Sequence, residues 1–342
     1  MNHPHPALRA SLSRRERGDS PDFRKYNITV VVPCFRVERE IQSVLHGLPK
    51  YVKHIIVVDD ASPDATADVV TASAKKDRRI TLIRHESNRG VGGAMVTGFR
   101  KALELGAQVI VKVDGDGQMD TSNLPALITP LILGQADYTK GNRFRDFQSL
   151  QKMPLSRRVG NMGLAFLSKA ATGYWHLFDP TNGFVAIRAE VLAQLPLGRI
   201  DSSYYFETSM LANIYLLGAV VKDIPMPARY QSEVSNMLIH RILFQFPLKL
   251  FGTFIKRLIL KNYIYDFTMG SIYILVGLPL LLFGLTFGID KWIEYAIQDG
   301  VTAPTGTVML PTLSVLLGIQ LLLSAIEIDL RSVPREPLSS PL

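Results

Sequence analysis

The residues best placed to do chemistry are Asp114 and Asp116, each followed by glycine, at the end of a valine- and isoleucine-rich run starting at residue 109. The run reads as a buried strand. Side chains two apart on an extended chain point the same way, so the spacing predicts two carboxylates converging on one cation. Gly115 and Gly117 let the backbone bend and a large ligand come close. Hard oxygen ligands with open positions suit Mg²⁺ or Mn²⁺ shared with phosphate oxygens. A solvated turn after a strand is the plain alternative. A calcium loop does not fit, because its glycine would fall at Met119 and its closing glutamate at Pro125.

The elements around this stretch must hold it in place. Residues 27–33 form a β-branched strand followed by a loop at Cys34, Phe35, Arg36, Val37 and Glu38, and a helix runs over 39–48. Residues 55–58 make a strand ending in Asp59 and Asp60. A helix follows, with Ser62 as its N-cap and Pro63 in its first turn. Residues 80–84 form a third strand, and Asn88-Arg89-Gly90 opens a helix to about residue 105. Gly90, Gly92 and Gly93 read either as helix–strand packing or as a nucleotide contact. Short apolar strands alternating with helices give an α/β domain with a mixed, mostly parallel sheet, Rossmann-like, that binds ligands at its carboxyl ends. No Gly-Lys-Ser/Thr follows a glycine loop, so a P-loop is excluded.

After residue 138 the pattern changes. Lys140 to Phe144 is a strand end, and a helix begins near Leu155, with Arg157 and Asn161 four apart on one face. Residues 178–184 form a turn before a strand at 185–188. Residues 204–217 form an amphipathic helix carrying Glu207, and a strand at 220–225 leads to Arg229.

The 342 residues carry a formal charge of +8, and mean hydropathy is +0.15. A basic chain suits a phosphorylated ligand, an anionic membrane or nucleic acid, but no nucleic-acid motif or long basic run favours the last. Cys34 is the single cysteine, so no intrachain disulfide forms. Residues 1–26 read as a disordered tail without a secretory signal. Residues 237–266 pair helically spaced apolar residues with Arg241, Lys249, Lys256, Arg257 and Lys261, the pattern of an interfacial amphipathic helix, with a kink expected at Pro247. The apolar runs 267–289 and 307–328 are long enough to cross a bilayer. Two core helices are the alternative. Positive charge before the first run and after the second places the large domain and a 331–342 tail in the cytoplasm, at the inner membrane.

Taken together, residues 30–35, 57–62, 88–90 and 114–118 resemble, in order, the successive motifs of inverting family 2 glycosyltransferases with the GT-A fold. Residues 179–184 resemble the later segment of the polyprenyl-phosphate, dolichyl-phosphate mannose synthase-like branch. The likeness covers about 27–236, and the set is specific where each motif alone is not. It implies transfer of one sugar from a nucleoside-diphosphate sugar (UDP or GDP) to an undecaprenyl or dolichyl phosphate at the cytoplasmic leaflet. By the same resemblance Pro33, Phe35, Glu38, Asp60 and Asp114 line the nucleotide. Asp116 and Gln118, beside Asp114, hold Mg²⁺ or Mn²⁺. Arg143 is the family arginine after the metal motif, and Arg157, Asn161 and Arg229 face the acceptor phosphate. Asp179, with Asp116 and Arg143, belongs to the catalytic set; it orients a sugar hydroxyl, or acts as base if the acceptor is a hydroxyl. Arg36 departs from the asparagine of many members, and the aspartate-rich base region is represented by Asp179 alone. A transferase acting on a glycan or lipid hydroxyl in envelope synthesis, and a nucleotide-sugar-binding membrane protein without turnover, are the rival readings. The sequence leaves oligomeric state open, a homo-oligomer included.

Overall fold

The structure, a computed structural model, describes residues 21–142, 155–179, 182–226 and 239–342; the side chains of 155–161 and 239–245 are outside the description. Seven strands form one sheet: β1 Ile28–Cys34, β2 His54–Asp59, β3 Ile80–Arg84, β4 Val109–Lys112, β5 Tyr138–Asn142, β6 Val185–Arg188 and β7 Val221–Pro225. Their order is β3-β2-β1-β4-β6-β5-β7. β1 pairs in parallel with β2 and β4, and β2 with β3. β6 runs antiparallel to both β4 and β5, and β5 pairs in parallel with β7. This is the mixed, mostly parallel sheet the alternation of elements predicts.

Both faces of the sheet are covered, which is why its strands read as continuous apolar runs. Val30, Val32, Ile55, Val57 and Val111 face one core with α1 (Ile41–His46) and α4 (Leu124–Ile132). Val31, Ile56, Val58 and Ile110 face the other, with α3 (Gly90–Glu104), α6 (Ala189–Gln194) and α7 (Phe206–Leu216). α2 (Thr66–Lys76) flanks β3, and α5 is Leu155–Thr172. Of the stretch read as a tail, residues 1–20 lie outside the description. Phe23–Lys25 forms one 3₁₀ turn, with the Phe23 ring 5.0 Å from that of Tyr51.

α8 (Ile239–Ile259) runs through Pro247 and ends in a wider π-type turn, Leu260–Tyr265. Two long helices follow, α9 (Met269–Trp292) and α10 (Thr305–Arg331). They are long and apolar enough to cross a membrane, and little of either is buried inside the protein, which argues against two core helices. The pair packs through small residues. A Cβ at Gly277 would lie 2.9 Å from the Leu321 Cβ, and one at Gly318 2.7 Å from the Leu281 backbone nitrogen.

The ends of this hairpin are riveted to the sheet domain. Asp329, on the last turn of α10, accepts two hydrogen bonds from Arg257 of α8, at 2.8 and 2.9 Å, and one each from Lys261 and the Trp175 indole. The C-terminal segment then returns to the sheet domain: Leu338 N–H donates to Asp137, and Leu342 N–H to the Ile132 carbonyl. Both ends of the hairpin therefore lie on the side of the sheet domain.

Candidate active site

The carboxyl ends of β1, β2 and β4 meet around a cavity of about 440 Å³. Phe35, Glu38 and Asp116 line it, with Arg36, Arg39 and Asp64. The loop after β1 and the turn after β4 thus bring three of the predicted residues together. Pro33 is buried at the end of β1, beneath them.

The alternation predicted to aim Asp114 and Asp116 together does not reach them. β4 ends at Lys112, and the chain turns through Gly117, whose φ is +74°. Asp114 is instead turned toward Lys112, whose ammonium lies 2.7 Å from its Oδ1. Asp116 faces the cavity, and its Oδ1 accepts the Gln118 backbone N–H at 3.0 Å. The Gln118 side chain is exposed.

Lys112 is the residue sequence reasoning missed. It is 2% exposed and also pairs with Glu207 at the start of α7, at 3.2 Å. Burial alone would lower its pKa, but Asp114 and Glu207 more than reverse this and raise it, so the ammonium stays charged. A Cβ at Gly183 would run into this ammonium and stand 3.1 Å from Asp114 Oδ2 and 3.3 Å from Glu207 Oε1. The segment after Asp179 is therefore packed directly on the ion pair. The available signal was a lysine inside an otherwise apolar buried strand.

A second buried lysine lies alongside. Lys140 of β5 is fully buried and donates to the Asn182 carbonyl. Burial lowers its pKa to about 8, against the opposing pull of the Glu207 and Asp179 carboxylates. Asp179 is itself completely buried. Its carboxylate is thus part of a charged cluster beneath the site.

Asp59 and Asp60 tie loops together. Asp59 accepts from the Ser62 N–H three residues on, closing a turn, and pairs with Arg84 at 3.2 Å. That turn delays the helix: α2 starts at Thr66, so Ser62 is not its N-cap, and the Ser62 hydroxyl accepts from the Arg36 N–H instead. Asp60 accepts from the backbone N–H of Arg89 and of Gly90, both at 2.8 Å, with His85 Nδ1 2.7 Å away. A Cβ at Gly90 or Gly92 would meet the backbone of Asp201 and Ser202, and one at Gly93 the Arg89 side chain, so these glycines serve a loop rather than strand packing; Gly92 N–H donates to the Ser202 carbonyl. Gly98 is the glycine that packs on β1, against Val31.

Arg143 and Arg229 lie outside the described residues. Arg157 and Asn161 lie on α5, whose backbone is described there and whose side chains are not.

The oxygen donors of Asp116, Glu38 and Asp64 on this cavity suit a hard divalent cation, with Asp114 two residues away and turned toward Lys112. Cys34 does not compete as a ligand, since burial, and then the neighbouring carboxylates, push its thiol well up. Among the described residues no group of three or more His, Cys, Asp or Glu is placed to enclose a metal. A cation here would share its coordination with ligand oxygens, as magnesium commonly does.

The profile of the family described as glycosyl transferase family 2 matches residues 29–195. The chain is 32% identical over 181 residues to the UDP-N-acetylglucosamine–dolichyl-phosphate N-acetylglucosaminyltransferase of Methanococcus voltae, covering 49% of this chain and 72% of that one. It is 32% identical over 202 residues to the undecaprenyl-phosphate mannosyltransferase of Micrococcus luteus, covering 58% and 82%. Among solved structures, glucosyl-3-phosphoglycerate synthase of M. tuberculosis matches with a TM-score of 0.50 at 17% identity, covering 70% of this chain and 84% of that one, a likeness of fold.

Proposed function

Because the chain belongs to glycosyl transferase family 2, we propose that this glycosyltransferase moves one sugar from a nucleoside-diphosphate sugar to a polyprenyl phosphate at the cytoplasmic leaflet. The observation that carries the acceptor class is the likeness to relatives named for dolichyl- and undecaprenyl-phosphate transfer. The hairpin of apolar helices riveted to the catalytic sheet supports it, since the phosphate of a polyprenol is confined to the lipid surface. On this reading residues 27–236 are the catalytic unit, 237–266 lie at the interface, 267–330 span the bilayer, and 331–342 return to the cytoplasmic side.

Phe35 and Glu38 would line the donor nucleotide, above Pro33, with Asp60 fixing the loops below it. Asp116, with Asp114 and Gln118, would hold a Mg²⁺ or Mn²⁺ that neutralises charge on the departing diphosphate. Lys112 keeps Asp114 in one orientation. The anomeric bond to the diphosphate breaks as an acceptor phosphate oxygen bonds the opposite face, which inverts the centre. That oxygen is already anionic at pH 7, so no general base is required. Asp179, buried beside Lys140, then serves to hold the 179–184 segment. Arg143, Arg157, Asn161 and Arg229 would supply hydrogen bonds to phosphate oxygens.

The test is transfer itself. Membranes carrying the protein, given labelled UDP- or GDP-sugars and undecaprenyl phosphate, should place label in the lipid-linked fraction. Arg157→Ala should raise the acceptor KM more than the donor KM. Label appearing only as free sugar, or on a hydroxyl glycan, would reject the acceptor assignment.

A further inference from the structure

A cationic pocket lies away from the cavity of Asp116. Between the loop before α7, α7 itself and α8 is a cavity of about 270 Å³. Its wall carries Arg199, Lys249, Lys256 and Arg257 against one carboxylate, Asp201. Two of these cations are committed. Lys249 lies 2.6 Å from Asp201, and Arg257 lies 2.8 Å from Asp329. Burial alone would raise the Asp201 pKa, but Lys249 and Ser203 more than reverse it, so its charge is already taken up. Arg199 and Lys256 have no carboxylate partner among the described residues, and both are exposed. Among the described residues the cavity therefore presents two positive charges without a carboxylate partner.

Its position on α8 says what would bring an anion there. Leu248, Phe251, Ile255 and Ile259 are exposed and follow one another at three- and four-residue steps, a single apolar stripe. Lys249 and Lys256, two turns apart, lie along the edge of that stripe on the cavity side. Gly252 between them adds no side chain to close the mouth. The Tyr205 hydroxyl, bonded to the Lys249 carbonyl and to Thr253 Oγ1, fixes this face of α8 against α7. An acyl chain lying along the stripe puts its own phosphate beside Lys249 and Lys256 and within the cavity of Arg199. A free phosphate would gain the cations but not the stripe.

We propose that this pocket binds the phosphodiester headgroup of an anionic glycerophospholipid, as a site separate from the one that takes the acceptor. None of Phe35, Glu38, Asp114 or Asp116, the residues given above to the donor and its cation, lines it. The inference rests on α8 lying at the membrane surface and does not rest on the acceptor assignment. Anchoring here would fix the tilt of the catalytic sheet over the bilayer.

The test uses the full chain in nanodiscs of phosphatidylcholine with added phosphatidylglycerol, with retained lipid counted by native mass spectrometry. The wild-type chain should retain phosphatidylglycerol in preference to phosphatidylcholine. The Arg199→Gln/Lys256→Gln double variant should lose that preference about tenfold or more, since each basic residue near an anionic lipid surface adds to the attraction. The acceptor KM should stay within about twofold. Equal retention by both proteins would overturn the proposal. So would displacement of the lipid by millimolar inorganic phosphate, which would make this a general phosphate site. A tenfold rise in acceptor KM in the double variant would show that the pocket belongs to the acceptor. Lipid retention is read without turnover, so a failure of the transfer reaction would leave this result standing on its own.

Discussion

The Lys112 ammonium lies 2.7 Å from Asp114, so the first carboxylate of the Asp-Gly-Asp motif reaches the site already paired with a buried cation. The same ammonium reaches Glu207, 95 residues later in the chain. Removing it leaves two partly buried carboxylates without their partner. Lys112→Met should cost about 3–5 kcal/mol, the range for breaking a buried pair, and lower kcat more than tenfold. Lys112→Met/Glu207→Leu should regain much of the thermal stability and none of the activity. Recovery of both would reduce the pair to a structural role.

Asp116 faces the cavity at the strand ends and Asp114 is held by Lys112, so dependence on a divalent cation should centre on Asp116. Asp116→Asn should keep its melting temperature and lose transfer by about 100-fold or more, the scale of a group aimed at charge developing in the transition state. In wild-type protein a chelator should abolish transfer and added Mn²⁺ or Mg²⁺ restore it. Undiminished turnover by Asp116→Asn with metal chelated would remove the cation from the mechanism.

Arg36 has φ +58°, a conformation disfavoured for side chains with a Cβ. Asparagine tolerates it better. Arg36→Gly should stabilise the protein by about 1 kcal/mol and Arg36→Asn by less. Melting curves in detergent check this. A loss of stability in both variants would mean that the guanidinium, which stacks 5.1 Å from the Phe35 ring, outweighs the backbone cost.

Lys140 gives a pH signature. Its folded pKa of about 8 lies below the ordinary 10.5 of lysine. Between those values the unfolded chain holds a proton that the folded chain lacks, so stability should rise with pH from about 8 to 10.5. Below pH 8 both states are protonated and the full cost of burying the charge is present. Melting temperature against pH should show this rising component in wild type and not in Lys140→Met. Parallel curves would place the titration elsewhere.

The sequence by itself determined the order of motifs, the α/β class and the two apolar spans. Each of these depends on local spacing: β-branched runs buried on both sheet faces, glycines at turns, and apolar stretches of bilayer length. It also brought out Phe35, Glu38 and Asp116, which sit at strand ends where such sheets open. Only the tertiary structure decided that β4 stops at Lys112, that Lys112 holds both Asp114 and Glu207, and that Asp60 ties the Gly90 turn. It alone placed Asp329 on Arg257 and the C-terminal segment on Asp137. Apart from Lys112 and Asp114, these pairings join residues tens to hundreds of positions apart. A buried charge is satisfied by whichever partner the fold brings within about 3 Å, and no local pattern along the chain encodes that distance.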